Sequence, residues 1–149
     1  MKRLPPHLLN QKLRRDPAPA VTLLEITNRC DLACLHCLRD SPHSRGEGEL
    51  PTVRWKTVLD ELAALGALGV SFTGGEPTVR DDLEELVRHA RARGLAVSTK
   101  TNGRTLAERI DGLAAAGVGQ FEISLYGITT ESHERTTGVA GSFAATLAG

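Results

Sequence analysis

The sequence has no excess of either charge. Eighteen Lys and Arg offset eighteen Asp and Glu, for a formal net charge of zero. A broad electrostatic surface for nucleic acid needs a basic excess, so the balance argues against that partner. Aromatic residues make up only 3% of the chain, too few for a platform on which single strands stack. No run of about 18 apolar residues is present, so no membrane-spanning helix is expected. Met1 to Ala20 is rich in proline and carries Lys2, Arg3, Lys12, Arg14 and Arg15 against Asp16. It lacks the apolar stretch of a secretory signal and reads as a cytosolic leader or arm, giving a cytoplasmic expectation. Cysteine is scarce as well: Cys30, Cys34 and Cys37 are the three in the chain, an odd number within eight residues. In a cytosolic chain such a cluster points to metal binding rather than to disulfides.

What is present suffices for one domain. The chain has 149 residues, of which 40% are hydrophobic and 24% charged, a composition that can bury a core. The reading divides it into the arm, residues 1–20, and a core, residues 21–149. Val21 to Thr27 is β-branched and apolar and predicts a strand. Asn28 to Gly48 lacks periodicity and holds Pro42, Gly46 and Gly48, so it predicts a long loop, which in a compact domain is usually functional or disordered. It contains every cysteine. Pro51-Thr52 opens a helix on which Trp55, Val58, Leu59, Leu62 and Leu65 recur near helical spacing, with Gly66 or Gly69 as its stop.

Val70 to Thr73 predicts a second strand ending at Gly74-Gly75-Glu76-Pro77. Asp81-Asp82 are expected in the first turn of the next helix, where carboxylates suit the dipole. That helix carries Leu83, Leu86, Val87 and Ala90 and ends at Gly94. Leu95 to Thr101 predicts a third strand, followed by Asn102-Gly103. Leu106, Ile110 and Leu113 mark a third helix closed by Gly117. Gln120 to Tyr126 alternates, with Phe121, Ile123 and Leu125 on one face and Glu122, Ser124 and Tyr126 on the other. A polar loop is expected from Gly127 to Gly141, then a fourth helix from Ser142 to Ala148.

Four consecutive βα units imply an α/β fold with a parallel sheet and right-handed crossovers. Ligands in such folds bind at the carboxyl ends of the strands. The unusual residues fall there: the cysteine loop, Gly-Gly-Glu-Pro, Asn-Gly, and Ser124 to Gly127.

The cysteines form a C-x3-C-x2-C pattern. Thiolates ligate both iron–sulfur clusters and zinc. Three of them hold three corners of a cubane and leave the fourth iron open. A structural zinc ion wants a fourth protein ligand, which His36 or His43 could supply in a non-enzymatic metal-binding module. Gly74 and Gly75 allow close approach of backbone to a ligand, and Glu76 can accept hydrogen bonds from an ammonium group. Lys100 shares a strand face with Asn102 and is a candidate for a cofactor or substrate carboxylate, or a solvated surface lysine.

The run Glu25-Ile26-Thr27-Asn28-Arg29-Cys30-Asp31-Leu32-Ala33-Cys34-Leu35-His36-Cys37, followed by Gly74-Gly75-Glu76-Pro77, Thr101-Asn102-Gly103 and Ser124-Leu125-Tyr126-Gly127, resembles the radical S-adenosylmethionine (radical SAM) enzymes. The stretch His133 to Phe143 resembles their peptide- and cofactor-maturing members, which carry a C-terminal domain with extra clusters (the SPASM type). The resemblance implies a partial (βα)6 barrel, of which four units are present, so the sequence reads as the truncated N-terminal part of a longer enzyme or one completed by another polypeptide. It implies that Cys30, Cys34 and Cys37 hold a 4Fe–4S cluster whose open iron is chelated by S-adenosylmethionine. Reductive cleavage would yield a 5′-deoxyadenosyl radical that abstracts a substrate hydrogen. The resemblance further assigns cofactor contacts to His36 at the adenine, to Gly74, Gly75 and Glu76 at the methionyl amino group, and to Asn102, Ser124 and Arg135, the last as a bidentate match for a carboxylate. Its implied partners are a flavodoxin- or ferredoxin-type electron donor and a peptide substrate.

Overall fold

A computed structural model describes residues 18–37 and 48–149. The expectations for residues 1–17 and for Pro42, His43 and Gly46 lie outside the described residues. The chain alternates strand and helix through β1 (Val21–Thr27), α1 (Thr52–Ala64), β2 (Gly69–Gly74), a 3-10 turn (Pro77–Val79), α2 (Leu83–Ala92), β3 (Ala96–Thr101), α3 (Leu106–Ala116) and β4 (Gln120–Ile123). Two further helices follow, α4 (Thr130–Thr137) and α5 (Ser142–Ala148). The strands form one sheet in the order β1-β2-β3-β4, every pair parallel. This is the α/β arrangement of four βα units expected above, and among the described residues the sheet does not close.

Period two on the strands and period 3.6 on the helices meet in one core. Leu24, Ile26, Val70, Phe72 and Val97 of the strands cluster with Leu59 of α1, Leu83, Leu86, Val87 and Ala90 of α2, and Leu106, Leu113 and Ala116 of α3. Gly117, at φ +111°, ends α3 in the left-handed conformation that glycine adopts without steric cost. Burying these side chains is the main force that holds the helices on the sheet.

Three expectations are corrected. Strand β4 stops at Ile123 rather than Tyr126; Ser124 keeps one sheet-like bond, donating its N–H to the Thr101 carbonyl at 2.9 Å. Phe121 packs on the core, but Ile123 and Leu125 are 42% and 48% exposed, so only one of the three apolar side chains of that face reaches the core cluster. Asp81 and Asp82 precede α2, and the acids of its first turn are Glu84 and Glu85. Finally, the stretch expected as a polar loop contains α4, started by a reciprocal capping box between Thr129 and Ser132. Its sequence, TESHERTT, has no apolar period to announce it.

Candidate active site

The carboxyl ends of the strands gather the sequence motifs around a single cavity of about 220 Å³. Nine of the ten predicted site residues line it: Cys30, Cys34, Cys37, His36, Gly74, Gly75, Glu76, Asn102 and Ser124. Lys100 lines it as well. Arg135 is outside that lining and lies exposed on α4.

Backbone contacts between β1 and β2 bring the cysteine loop and the glycine turn together. The β1–β2 register shifts between Glu25 and Thr27, setting Thr27 opposite Gly74. The Gly75 N–H then donates to the Thr27 carbonyl and the Glu76 N–H to the Arg29 carbonyl, both at 2.8 Å. A Cβ at Gly74 would stand 2.3 Å from the Thr27 oxygen, and one at Gly75 2.2 Å from the Arg29 oxygen. Gly74 also has φ +139°. Two glycines are therefore a steric requirement of this approach.

Glu76 is buried at 1% exposure. Its Oε1 accepts from the Thr78 N–H and hydroxyl and from the Thr101 hydroxyl, and its Oε2 accepts from the Asn102 N–H at 2.6 Å. Burial pushes its carboxyl above the usual range, against the pull of these donors. Asn102 extends the chain of contacts. Its side-chain Nδ2 donates to Asp31 at 2.7 Å, and its Oδ1 accepts from the Arg104 N–H. Arg104 donates to the Asp31 carbonyl at 2.6 Å and reaches the Asp31 carboxylate at 3.1 Å. The turn after β3 thus holds the cysteine loop by the residue next to Cys30.

Sequence reasoning missed Asp31 and Arg104, because a lone acid and a lone base in two loops carry no periodic signal. It also missed Glu49, which accepts from the Thr27 hydroxyl at 2.5 Å and the Asn28 N–H at 2.7 Å where the cysteine loop begins. Tyr126, which belongs to the Ser124–Gly127 motif but has no role assigned from sequence, sets its ring centroid 4.6 Å from that of His36.

All three cysteines are free. Burial pushes the Cys30 thiol up to about 11, and the nearby charges of Asp31, Glu76 and Cys34 act in the same direction. Cys34 is also raised, by burial and by Cys37. Both groups favour the protonated thiol until a cation takes the proton's place. Among the described residues, no three His, Cys, Asp or Glu side chains converge as one ion would require. A single zinc ion needs its sulfur ligands within about 2.3 Å of one centre. Cys30, Cys34 and Cys37 all line the cavity, and thiolates are the donors that iron–sulfur clusters take. Lys100 and Glu122, which also line the cavity, are opposite each other in the β3–β4 register and pair at 2.5 Å. They bring one charge of each sign to the cavity.

A model of the Radical SAM superfamily matches residues 24–149. A PqqA peptide cyclase from Rhodopseudomonas palustris is 45% identical over 130 residues, which are 87% of this chain and 34% of the relative. An Fe-coproporphyrin III synthase from Methanosarcina barkeri is 38% identical over 149 residues, 99% of this chain and 36% of the relative. The chain thus spans about a third of the length of these relatives. Among solved structures, Streptococcus suis SuiB bound to precursor peptide SuiA superposes with a TM-score of 0.71 at 22% identity, over 87% of this chain and 30% of SuiB. The S-adenosylmethionine-bound form of SuiB gives a TM-score of 0.66.

Proposed function

Since the chain belongs to the Radical SAM superfamily, whose members use a 4Fe–4S cluster and S-adenosylmethionine, we propose that it forms the cofactor-holding part of an enzyme that takes a hydrogen atom from a peptide. The observation that carries this reading is the convergence of three free thiols, the glycine turn, Asn102 and Ser124 on one cavity. A 4Fe–4S cluster held by Cys30, Cys34 and Cys37 would supply one-electron reduction of a sulfonium bound beside it.

The chain's own residues prepare that event. Cys30, Cys34 and Cys37 would give up their protons to hold the iron of the cluster. Gly74 and Gly75 admit the methionyl amino group beside the cysteine loop, and Glu76 balances its charge while holding the turn rigid. His36, backed by the Tyr126 ring, flanks the adenine. Ser124 and Asn102 supply polar contacts, and Lys100 meets the carboxylate. A peptide is favoured as substrate by the 45% identity to a PqqA peptide cyclase. An external donor of the flavodoxin or ferredoxin class delivers the electron.

Anaerobic reconstitution with iron and sulfide tests the reading. The expected product is a brown protein, iron and sulfide in equal amounts, whose electron paramagnetic resonance spectrum after reduction changes when S-adenosylmethionine is added. Cys34→Ala should abolish the colour. A colourless protein, a spectrum indifferent to the cofactor, or zinc that iron never displaces would overturn it and favour the module built on three cysteines and a histidine.

A further inference from the structure

Helix α4 meets the cysteine loop end-on. The last carbonyls of a helix have no partner within it and must find donors elsewhere. Here the Thr137 carbonyl accepts the Ala33 N–H and the Thr136 carbonyl accepts the Leu35 N–H, both at 2.9 Å. These two amides flank Cys34. Gly138, in the left-handed conformation at φ +71°, closes the helix so tightly against the loop that a Cβ there would stand 2.7 Å from the Ala33 oxygen.

One turn back, His133 is fully buried. Its Nδ1 accepts the Tyr126 N–H at 3.2 Å. An accepting Nδ1 leaves the ring proton on Nε2, and that atom is buried without a hydrogen-bond partner. The ring lies between Tyr126, at 6.0 Å, and Phe143 of α5, at 5.5 Å. A buried polar atom left unpaired costs stability, so the single bond to Tyr126 is what the imidazole contributes that an apolar ring of its size could not. Tyr126 in turn carries the ring that touches His36.

We infer that α4 is a strut that sets the backbone of the cysteine loop on both sides of Cys34, and that His133 is the positioning residue that fixes this strut by holding the Tyr126 backbone. The loop is then shaped by protein contacts before any metal arrives. The inference concerns the same loop as the proposed cluster but does not require the cluster, so the two can fail separately.

Amide hydrogen exchange on the metal-free chain tests it. The Ala33 and Leu35 amides should be protected. In His133→Leu their protection should fall by about tenfold or more, while the Phe72 and Thr99 amides of the central strands keep theirs. His133→Asn, whose side-chain oxygen can replace Nδ1 as acceptor, should restore protection to within about twofold of the parent. Gly138→Ala, which pushes the helix end off the Ala33 carbonyl, should repeat the His133→Leu pattern. If His133→Leu also loses protection at Phe72, Gly138→Ala decides. Exchange of Ala33 and Leu35 at the free-peptide rate in the parent would overturn the inference. So would full protection in His133→Leu, full protection in Gly138→Ala, or no recovery in His133→Asn.

Discussion

Glu76 has four donors on two oxygens and almost no contact with solvent. Replacing it with glutamine keeps the shape and one oxygen but turns an NH2 group toward a donor. If the oxygen stays with the two threonines, the amide faces the Asn102 N–H, and a donor meets a donor in a buried site. Glu76→Gln should therefore lower unfolding free energy by about 2 kcal/mol, read from a denaturant titration. It should also weaken cofactor binding, since the turn loses its link to Asn102 and through it to Asp31. Asn102→Ala isolates that second effect. It removes the Nδ2 bond to Asp31 and the Oδ1 acceptor of the Arg104 N–H, and leaves its own backbone bond to Glu76 in place. The expected outcome is a stability loss of about 1 kcal/mol and a fall in iron retained per chain after reconstitution. Unchanged iron would mean that Arg104 holds Asp31 alone.

At the scale of the elements, Asp82 ties three of them. Both of its oxygens receive the Arg80 guanidinium, at 2.8 and 2.6 Å, and the Thr52 hydroxyl at the start of α1 adds a 2.6 Å bond. Arg80 is buried and donates onward to the Ile26 carbonyl of β1 at 2.8 Å. Burial alone would raise the Asp82 carboxyl, but Arg80 and Thr52 outweigh it and hold it below the ordinary aspartate range. A depressed folded-state value makes its contribution complete above the unfolded value, about pH 4, and lost as pH falls through the folded one. Asp82→Asn should cost about 2 kcal/mol at neutral pH, because it takes the bidentate partner from a buried cation and leaves it the more distant Glu49 carboxylate at 3.6 Å. The variant should also lose less stability on acidification than the parent; parallel curves from pH 7 down to pH 2 would contradict this. The sequence placed Asp82 in the neighbouring helix on dipole grounds. Its partners are Arg80, in the turn after β2, and Thr52 on α1, with β1 reached only through Arg80, and the long-range tie to Thr52 leaves no trace in local pattern. The three helices that pack on the core were legible because each repeats apolar residues at helical spacing. Helix α4 was not, since it is held by a capping box, by buried His133 and Thr137, and by its grip on the cysteine loop.

For the molecule as a whole, right-handed crossovers cut the topologies open to four βα units to a few, and the resemblance to a partial barrel selects the sequential order β1-β2-β3-β4 that the sheet has. The motifs had to converge on one rim because every loop after a strand opens on the same side of a parallel sheet. What alternation cannot say is how the last strand is covered. β4 pairs with β3 on one side, and among the described residues no strand pairs with its other side. Ile123 and Leu125 are about half exposed and Ile128 is 92% exposed. A free edge beside exposed apolar side chains is a template for pairing with another chain. This chain should therefore associate as its concentration rises, with the sedimentation coefficient climbing across a dilution series. Leu125→Lys paired with Ile128→Lys places charge along that edge without touching the cavity lining, so it should flatten the concentration dependence and leave iron loading as in the parent. Should the parent sediment as a monomer throughout, the edge is covered by the chain's own contacts; should the double variant associate equally, the contact lies on another face, with β1 and its exposed Val21 and Leu23 the next surface to charge.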